Sequence, residues 1–173
     1  MKKSFKVISV VLAVIILIIA LLWFSDDIGI SKAAIETDSR KSQNISNDWA
    51  AQKDEGKEIV ALLFYPADKS HHTFSIYVNR PGLSFGYFFR GSVPISTTEH
   101  YITEFTINGF NERAFVSMNQ EQVVRLEIDD GNSLQTTEID PNTPFCFVLS
   151  SNVGSVTFID INGNTVETRQ SPL

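Results

Sequence analysis

The sequence is poor in cysteine, and this shortage limits both its covalent structure and its chemistry. Its single cysteine, Cys146, has no partner for an intramolecular disulfide, so the fold depends on an apolar core. Cys146 lies within the apolar run 145–149, a setting that predicts a small buried side chain rather than a reactive thiol. It is also far from the N-terminal apolar run, which excludes a lipid-modified cysteine there.

Basic residues are also scarce, with 14 against 20 acidic residues. Three of the 14 are lysines in the first six positions, so the rest of the chain holds 11 basic and 20 acidic residues, a formal charge of about −9. Nucleic acid and anionic lipid surfaces attract basic patches. The charge therefore argues against nucleic acid, and against an anionic lipid surface, as a partner of this outer part.

The chain lacks the short motifs of common catalytic and cofactor sites. It contains no Gly-x-Ser-x-Gly elbow, His-Glu-x-x-His pair, P-loop or dinucleotide fingerprint. His71 and His72 stand side by side in a predicted turn, and nothing in the sequence places a nucleophile beside His100. Residues 160–164 fit an Asn-Gly hairpin better than a calcium loop, because the glycine stands too early among the would-be ligands. We therefore predict no catalytic residue, no metal and no cofactor.

What is present begins with an apolar run of 18 residues, 7–24. A helix of this length spans about 27 Å, close to the roughly 30 Å hydrocarbon core of a bilayer. Lysines before the run and aspartates after it predict a single-pass anchor in the cell membrane, with the N-terminus in the cytoplasm and the C-terminal part outside. The alternative is a secretory signal cleaved near Ala33, although the run is longer than such signals usually are.

Residues 25–44 are polar and aperiodic, which predicts a stalk. A short helix is expected next, with Ser46 as its N-cap, Trp49 on its apolar face and Gly56 just beyond its end. The chain then divides into a cytoplasmic tip and transmembrane signal anchor at 1–24, a stalk with a short helix at 25–57, and an extracytoplasmic β domain at 58–173.

From residue 58 onward the apolar residues recur with period two between turn residues. Hairpins are indicated by Asn-Gly and Asp-Gly pairs at 108–109, 130–131 and 162–163, and a further turn by 80–82. The predicted fold is all-β, an antiparallel β-sandwich of about 8–10 strands, with a barrel as the alternative. The ten expected strands cover residues 59–65, 73–79, 83–90, 101–107, 113–118, 123–128, 134–139, 145–149, 155–161 and 165–168.

The hairpin around residue 81 carries more aromatic side chains than one core face needs. We expect Tyr77 and Phe88 on its second face, with Tyr65 at the end of the preceding strand and Arg80 and Arg90 flanking the hairpin. A flat aromatic surface with polar groups suits a sugar, a peptide or a partner protein. The alternative is that a second sheet, or the helix carrying Trp49, covers this face and makes it core.

Together these features predict a membrane-anchored extracytoplasmic binding or interaction module of the cell envelope, inserted through residues 7–24. Its expected partner is an envelope protein or polysaccharide. The alternative function is a small envelope hydrolase whose carboxylates are assembled by the fold, with candidates Glu99, Glu104, Glu112 and Asp129. A third reading, in which the transmembrane helix itself finds a partner, is weakened because 7–24 lacks a stripe of small residues.

Overall fold

The computed structural model describes residues 2–24, 27–80, 82, 84–93 and 100–173, with the side chains of the first helix described at 7–21 and 23. The chain is mostly β, with antiparallel sheets and short helical segments after the first helix. The predicted β class is therefore confirmed. The expected strand 83–90 and the turn 80–82 each fall partly outside the described residues, as does the candidate acid Glu99.

The first helix, α1, comprises Lys2–Phe24. Its described large apolar side chains are exposed, from 47 % at Ile15 to 69 % at Trp23. Counting only described residues, no helix is both long enough and apolar enough to cross a membrane. The membrane anchor therefore stays a prediction.

The segment predicted to be a stalk packs against the β layers instead. A 3-10 turn at Lys32–Ala34 leads into helix α2, Ile35–Ser42. Ile35 and Ser39, one helical turn apart, are fully buried, and Ile45 is also buried just after the helix. The apolar periodicity did not reveal this helix, because only one narrow face of α2 meets the core.

Sheet 1 contains four antiparallel strands in the order β1-β2-β3-β4. The helix expected to begin at Ser46 is wrong, because β1 occupies this segment and pairs along its whole length with β2. Trp49, just before β1, packs against the apolar cluster under α2. The strands are β1 (Ala50–Glu55), β2 (Ile59–Tyr65), β3 (Thr73–Val78) and β4 (Phe88–Val93).

Two further sheets complete the fold, and the twelve strands of the described residues exceed the predicted 8–10. Sheet 2 has the order β12-β5-β6-β9 and contains one parallel pair, β12 with β5. Sheet 3 has the order β11-β10-β7-β8. Their strands are β5 (Ile102–Thr106), β6 (Glu112–Ser117), β7 (Val123–Asp129), β8 (Leu134–Glu138), β9 (Phe145–Ser150), β10 (Ser155–Asp160), β11 (Thr165–Val166) and β12 (Thr168–Pro172).

The three glycine turns form the predicted hairpins. Gly109, Gly131 and Gly163 each have a φ between 84° and 87°, the left-handed region that favours glycine. They join β5 to β6, β7 to β8 and β10 to β11, and all three pairs are antiparallel.

The elements stack in the order α2, sheet 1, sheet 2, sheet 3. Phe74 of sheet 1 stacks on Phe105 of sheet 2, with ring centroids 4.9 Å apart, in the first intersheet core. The opposite face of sheet 2 packs on sheet 3 around Phe115, Phe145 and Phe158. A third apolar cluster lies between α2 and the outer face of sheet 1. Sheet 2 is thus covered on both faces, so buried residues occur at consecutive positions of β5 and β6.

Candidate functional site

Two of the five residues predicted to bind a partner are buried on opposite faces of sheet 1. Tyr65 belongs to the core between sheets 1 and 2, where it is 7 % exposed. Tyr77 is fully buried beneath α2 and donates a hydrogen bond to Asp38. Burial, reinforced by the Asp38 carboxylate, raises the pKa of Tyr77 to about 12. The structure therefore does not bring these two tyrosines together at one surface, and a helix covers the face of Tyr77.

Phe88 and Phe89 each lie on the face of sheet 1 opposite to the one that the sequence pattern predicts. Tyr77 lies opposite Phe89, and their rings meet edge to face at 5.4 Å between centroids. Phe88 lies opposite Val78, on the other face of the strand. The register shifts between Ile76 and Tyr77, and this irregularity inverts the alternation that a regular strand would follow.

The remaining predicted residues lie together at the exposed end of this hairpin. The Arg80 guanidinium stacks on the ring of Phe88, 4.1 Å from its centroid. Phe85 and Phe89 are 60 % and 46 % exposed. We call these side chains, together with Phe85, which lies three residues before Phe88 in the chain, the arginine–aromatic patch; its members are Arg80, Phe85, Phe88, Phe89 and Arg90.

A shallow depression of about 190 Å³ opens within this patch. Arg80 and Arg90 both line it, and Arg90 also donates a long hydrogen bond of 3.4 Å to the Leu173 carbonyl oxygen. Within the described residues, neither arginine forms an ion pair with an acid. Unpaired guanidinium groups beside exposed rings suit a phosphate or carboxylate attached to an apolar body. The lining residues are Val78, Arg80, Phe89, Arg90, Asn108 and Phe110.

The patch is fastened to the segment that follows α1. The Phe85 amide donates a 2.8 Å hydrogen bond to the Asp27 carbonyl, and the Gly29 amide donates one of 2.7 Å to the Phe85 carbonyl. Ile30 and Tyr87 exchange two further bonds, at 2.8 and 2.9 Å. These bonds hold the exposed Phe85 ring near the start of the folded domain.

Two glycines permit this close pairing. A Cβ added to Gly29 would overlap the Tyr87 carbonyl oxygen, and one added to Gly86 would lie 2.7 Å from the Ile30 carbonyl oxygen. Gly86 also has a φ of 89°. Sequence reasoning missed both the pairing and Phe85. The available signal was Gly29 and Gly86 in otherwise apolar surroundings, since a glycine in such a run often marks close backbone approach.

The acids proposed for a hydrolase hold the structure together. Glu104 is 5 % exposed and pairs with Arg113 at 2.8 Å. Glu112 accepts three backbone amides, those of residues 57, 58 and 59, at 2.7 to 2.9 Å. Asp129 accepts the Gly131 amide within its hairpin turn. The three described candidates are thus engaged separately, while Glu99 lies outside the described residues.

Other chemically notable residues have structural partners. Cys146 is buried in the first intersheet core, as expected, and burial raises its pKa to about 12. Asp160 accepts the amides of Asn162 and Asn164, the arrangement of a hairpin turn, and these bonds lower its pKa. Within the described part of the chain, no three potential ligands among His, Cys, Asp and Glu converge on a metal site.

Comparison with known proteins supplies no relative from which a role could be transferred. No family model matches the chain, and neither the curated proteins nor the solved structures include a significant match to it.

Proposed function

We propose that the chain is a membrane-anchored interaction module of the cell envelope, with α1 in the membrane and the β layers outside. The observation that carries this proposal is the apolar surface of α1. Its exposed residues, such as Val7, Leu12 and Leu17, occur on all sides of the helix. A helical segment that is apolar all round, as the run 7–24 is in the sequence, needs an apolar environment, and a lipid bilayer provides one.

Length and charge support the same arrangement. In the sequence, 18 of the 23 residues of α1 form the apolar run 7–24, and a helix of that length would extend about 27 Å, close to the hydrocarbon thickness of a bilayer. Lysines at its beginning favour a cytoplasmic N-terminus. The β layers would then face outward, where a fold without disulfides relies on its three apolar clusters.

The proposed interaction surface is β8, an edge strand of sheet 3. All five of its residues are exposed, and it has a neighbouring strand on one side only among the described strands. Natural edges are usually protected by charge or proline. The edges β1 and β12 follow that rule, with Lys53 and Asp54 in the one and Arg169 and Pro172 in the other, whereas β8 has only Glu138.

The hydrogen-bond register shows which β8 amides are available. The Ile139 amide donates to the Val124 carbonyl at 2.8 Å, so amides at alternate positions of β8 face β7. The amides of Leu134, Thr136 and Glu138 therefore face the open edge. We propose that an extended segment of an envelope protein adds to this edge as a further strand.

The anchor and its orientation are tested by cysteine labelling in intact cells. A membrane-impermeant maleimide should label Leu134→Cys without permeabilisation and Ser4→Cys only after it, while carbonate extraction leaves the chain in the membrane. Native Cys146 gives the background. Labelling of both positions in intact cells, or release by carbonate, would contradict the anchor.

The open edge is tested with two substitutions at one position. Thr136→Pro removes an outward amide and leaves the β7–β8 bonds in place, whereas Thr136→Ala removes only the side chain. Photocrosslinking from position 134 should capture a partner protein in the alanine variant and lose it in the proline variant at equal thermal stability. Equal capture by both variants would rule out strand addition at β8.

A further inference from the structure

We infer that the arginine–aromatic patch contacts phospholipid headgroups beside α1, with Phe85 at the interface and Arg80 and Arg90 on lipid phosphates. The inference rests on the proposed membrane anchor and adds a second membrane contact to it. In this inference the patch binds the lipid surface, and the alternative is that it binds a peptide or a sugar.

The chain that connects the end of α1 to the patch is short, so the patch must lie near the end of α1. Asp27 follows Phe24 by three residues, and an extended chain covers at most about 10 Å over that distance. The Phe85 amide is hydrogen-bonded to the Asp27 carbonyl at 2.8 Å. The headgroup region on each side of a bilayer is roughly 5 to 8 Å thick. Even with this connection fully extended, the Phe85 backbone would lie only a few ångströms beyond the headgroup region, a distance that its side chain can cover once α1 lies in the bilayer.

The exposed apolar side chains of this region are suited to the headgroup layer of a bilayer. Phe85 is 60 % exposed and Ile28, which bridges to it, is 38 % exposed. Large apolar side chains at this exposure gain by leaving water, and aromatic rings concentrate at membrane interfaces. The two residues stand on paired backbone segments, so they would enter the interface as one unit.

The side chains of Arg80 and Arg90 are suited to binding lipid phosphates. A guanidinium group binds phosphate through two parallel hydrogen bonds, and Arg80 and Arg90 form no ion pair within the described residues that would compete. Lys32 lies 6.0 Å from the centroid of the Tyr87 ring but forms an ion pair with Glu55 at 2.9 Å. The outer part remains acidic overall, so the contact depends on two local cations at short range. We therefore expect it with zwitterionic lipid as well as with anionic lipid.

The experiment measures depth in the bilayer with nitroxide labels on the full chain. Single cysteines replace Phe85, Leu134 or Ile15, and each protein is reconstituted into phosphatidylcholine vesicles, with and without phosphatidylglycerol. Leu134 is the matched control because its exposure, 60 %, equals that of Phe85. Cys146 is buried and should take up little label under native conditions, and the unsubstituted chain measures that background.

We expect the label at position 85 to be several-fold less accessible to a water-soluble nickel chelate, and more accessible to oxygen, than the label at 134. The label at 15 should lie deep in the bilayer. If 15 is deep while 85 matches 134, the headgroup contact is overturned and the anchor stands. If 15 is also in water, the anchor is wrong and the inference falls with it.

A separate experiment tests whether the two arginines contact lipid phosphate. Arg80→Gln with Arg90→Gln should return the label at 85 several-fold towards aqueous accessibility. The control is Arg125→Gln with Arg169→Gln, because those arginines pair with Glu127 and Glu167, each at 2.8 Å. Unchanged accessibility in the first double variant would overturn the assignment of the arginines to lipid phosphate. No protein or sugar is present in the vesicles, so a bilayer contact there comes from the lipid alone.

Discussion

The Tyr77 hydroxyl donates a 2.8 Å hydrogen bond to Oδ2 of Asp38, which links sheet 1 to α2 across a buried interface. A second polar contact, between the Ser39 and Ser75 hydroxyls at 2.9 Å, lies under the same helix. Helix α2 is therefore fixed by specific hydrogen bonds as well as by apolar packing.

Substitutions of Tyr77 should separate the contributions of its hydrogen bond and of its apolar packing to the free energy of unfolding. We expect Tyr77→Phe to lower the free energy of unfolding by about 1 kcal/mol, since it removes one hydrogen bond and keeps the ring. Tyr77→Ala should cost about 3–5 kcal/mol because it also leaves a cavity. Chemical denaturation of the purified full chain measures both values. Equal losses for the two variants would show that the ring contributes nothing beyond its hydroxyl.

The Glu112 carboxylate ties β6 to the turn between β1 and β2, and Gly56 leaves the space it needs. A Cβ added to Gly56 would overlap this carboxylate. We expect Glu112→Ala to cost roughly 3 kcal/mol, because it leaves backbone amides without their acceptor. Gly56→Ala should cost nearly as much by displacing the carboxylate, and the double variant should be little worse than Glu112→Ala alone.

Gly163→Ala provides the control for this cycle. Gly163 has a φ of 84° and open space where a Cβ would be, so its substitution should cost about 1 kcal/mol through backbone strain alone. That cost should add to the effect of Glu112→Ala. Chemical denaturation of the three single and two double variants measures these costs, and full additivity of Gly56→Ala with Glu112→Ala would refute the proposed displacement.

The sequence predicts those parts of the fold that depend on local chemistry. The three glycine turns mark their hairpins because each needs a left-handed residue, and the expected strand 59–65 coincides with β2. The segment around β1 was misread because its pairing with β2 is a tertiary interaction that overrides local helix signals. Helix α2 did carry a visible signal, with Glu36 and Asp38 in its first turn and Arg40 and Lys41 in its last.

The candidate site was predictable only in part. Clustering of aromatics and arginines near residue 85 is visible in the sequence, and the binding role predicted for this hairpin stays a prediction. The faces of Phe88 and Phe89 were not predictable, because a register shift at Ile76 and Tyr77 leaves no trace in a period-two pattern. The pairing of Phe85 with Asp27 joins segments far apart in the chain, so Gly29 and Gly86 could indicate a close backbone approach but could not identify the partner segment.

Cys146 should be unreactive in the folded protein. Burial raises the pKa of its thiol to about 12, so the thiolate is scarce at pH 8 and reagents also lack access. We expect a thiol reagent to modify the full chain at least about 100-fold more slowly in buffer than in denaturant, given a folded population above 99 %. Mass spectrometry of timed samples measures this. Rapid modification in buffer would mean that the core around Cys146 opens readily.

Alkaline pH should destabilise the protein in a window set by the same thiol and by Tyr77. In the unfolded chain these groups titrate near pH 9 and 10, while in the folded protein both pKa values are raised to about 12. Between those limits the unfolded state releases protons that the folded state keeps, so the free energy of unfolding falls as pH rises. Below pH 9 both groups are neutral in both states, and their full contribution is retained.

Denaturation curves at pH 8, 9.5 and 11 test this dependence on the wild type and on Tyr77→Phe with Cys146→Ala. The double variant should be less stable than the wild type at pH 8, because it has lost a hydrogen bond and some packing. Its stability should fall less between pH 8 and 11, because the two groups whose protons the fold retains are gone. Parallel pH profiles for the two proteins would show that other groups control alkaline unfolding and would contradict the role assigned to Tyr77 and Cys146.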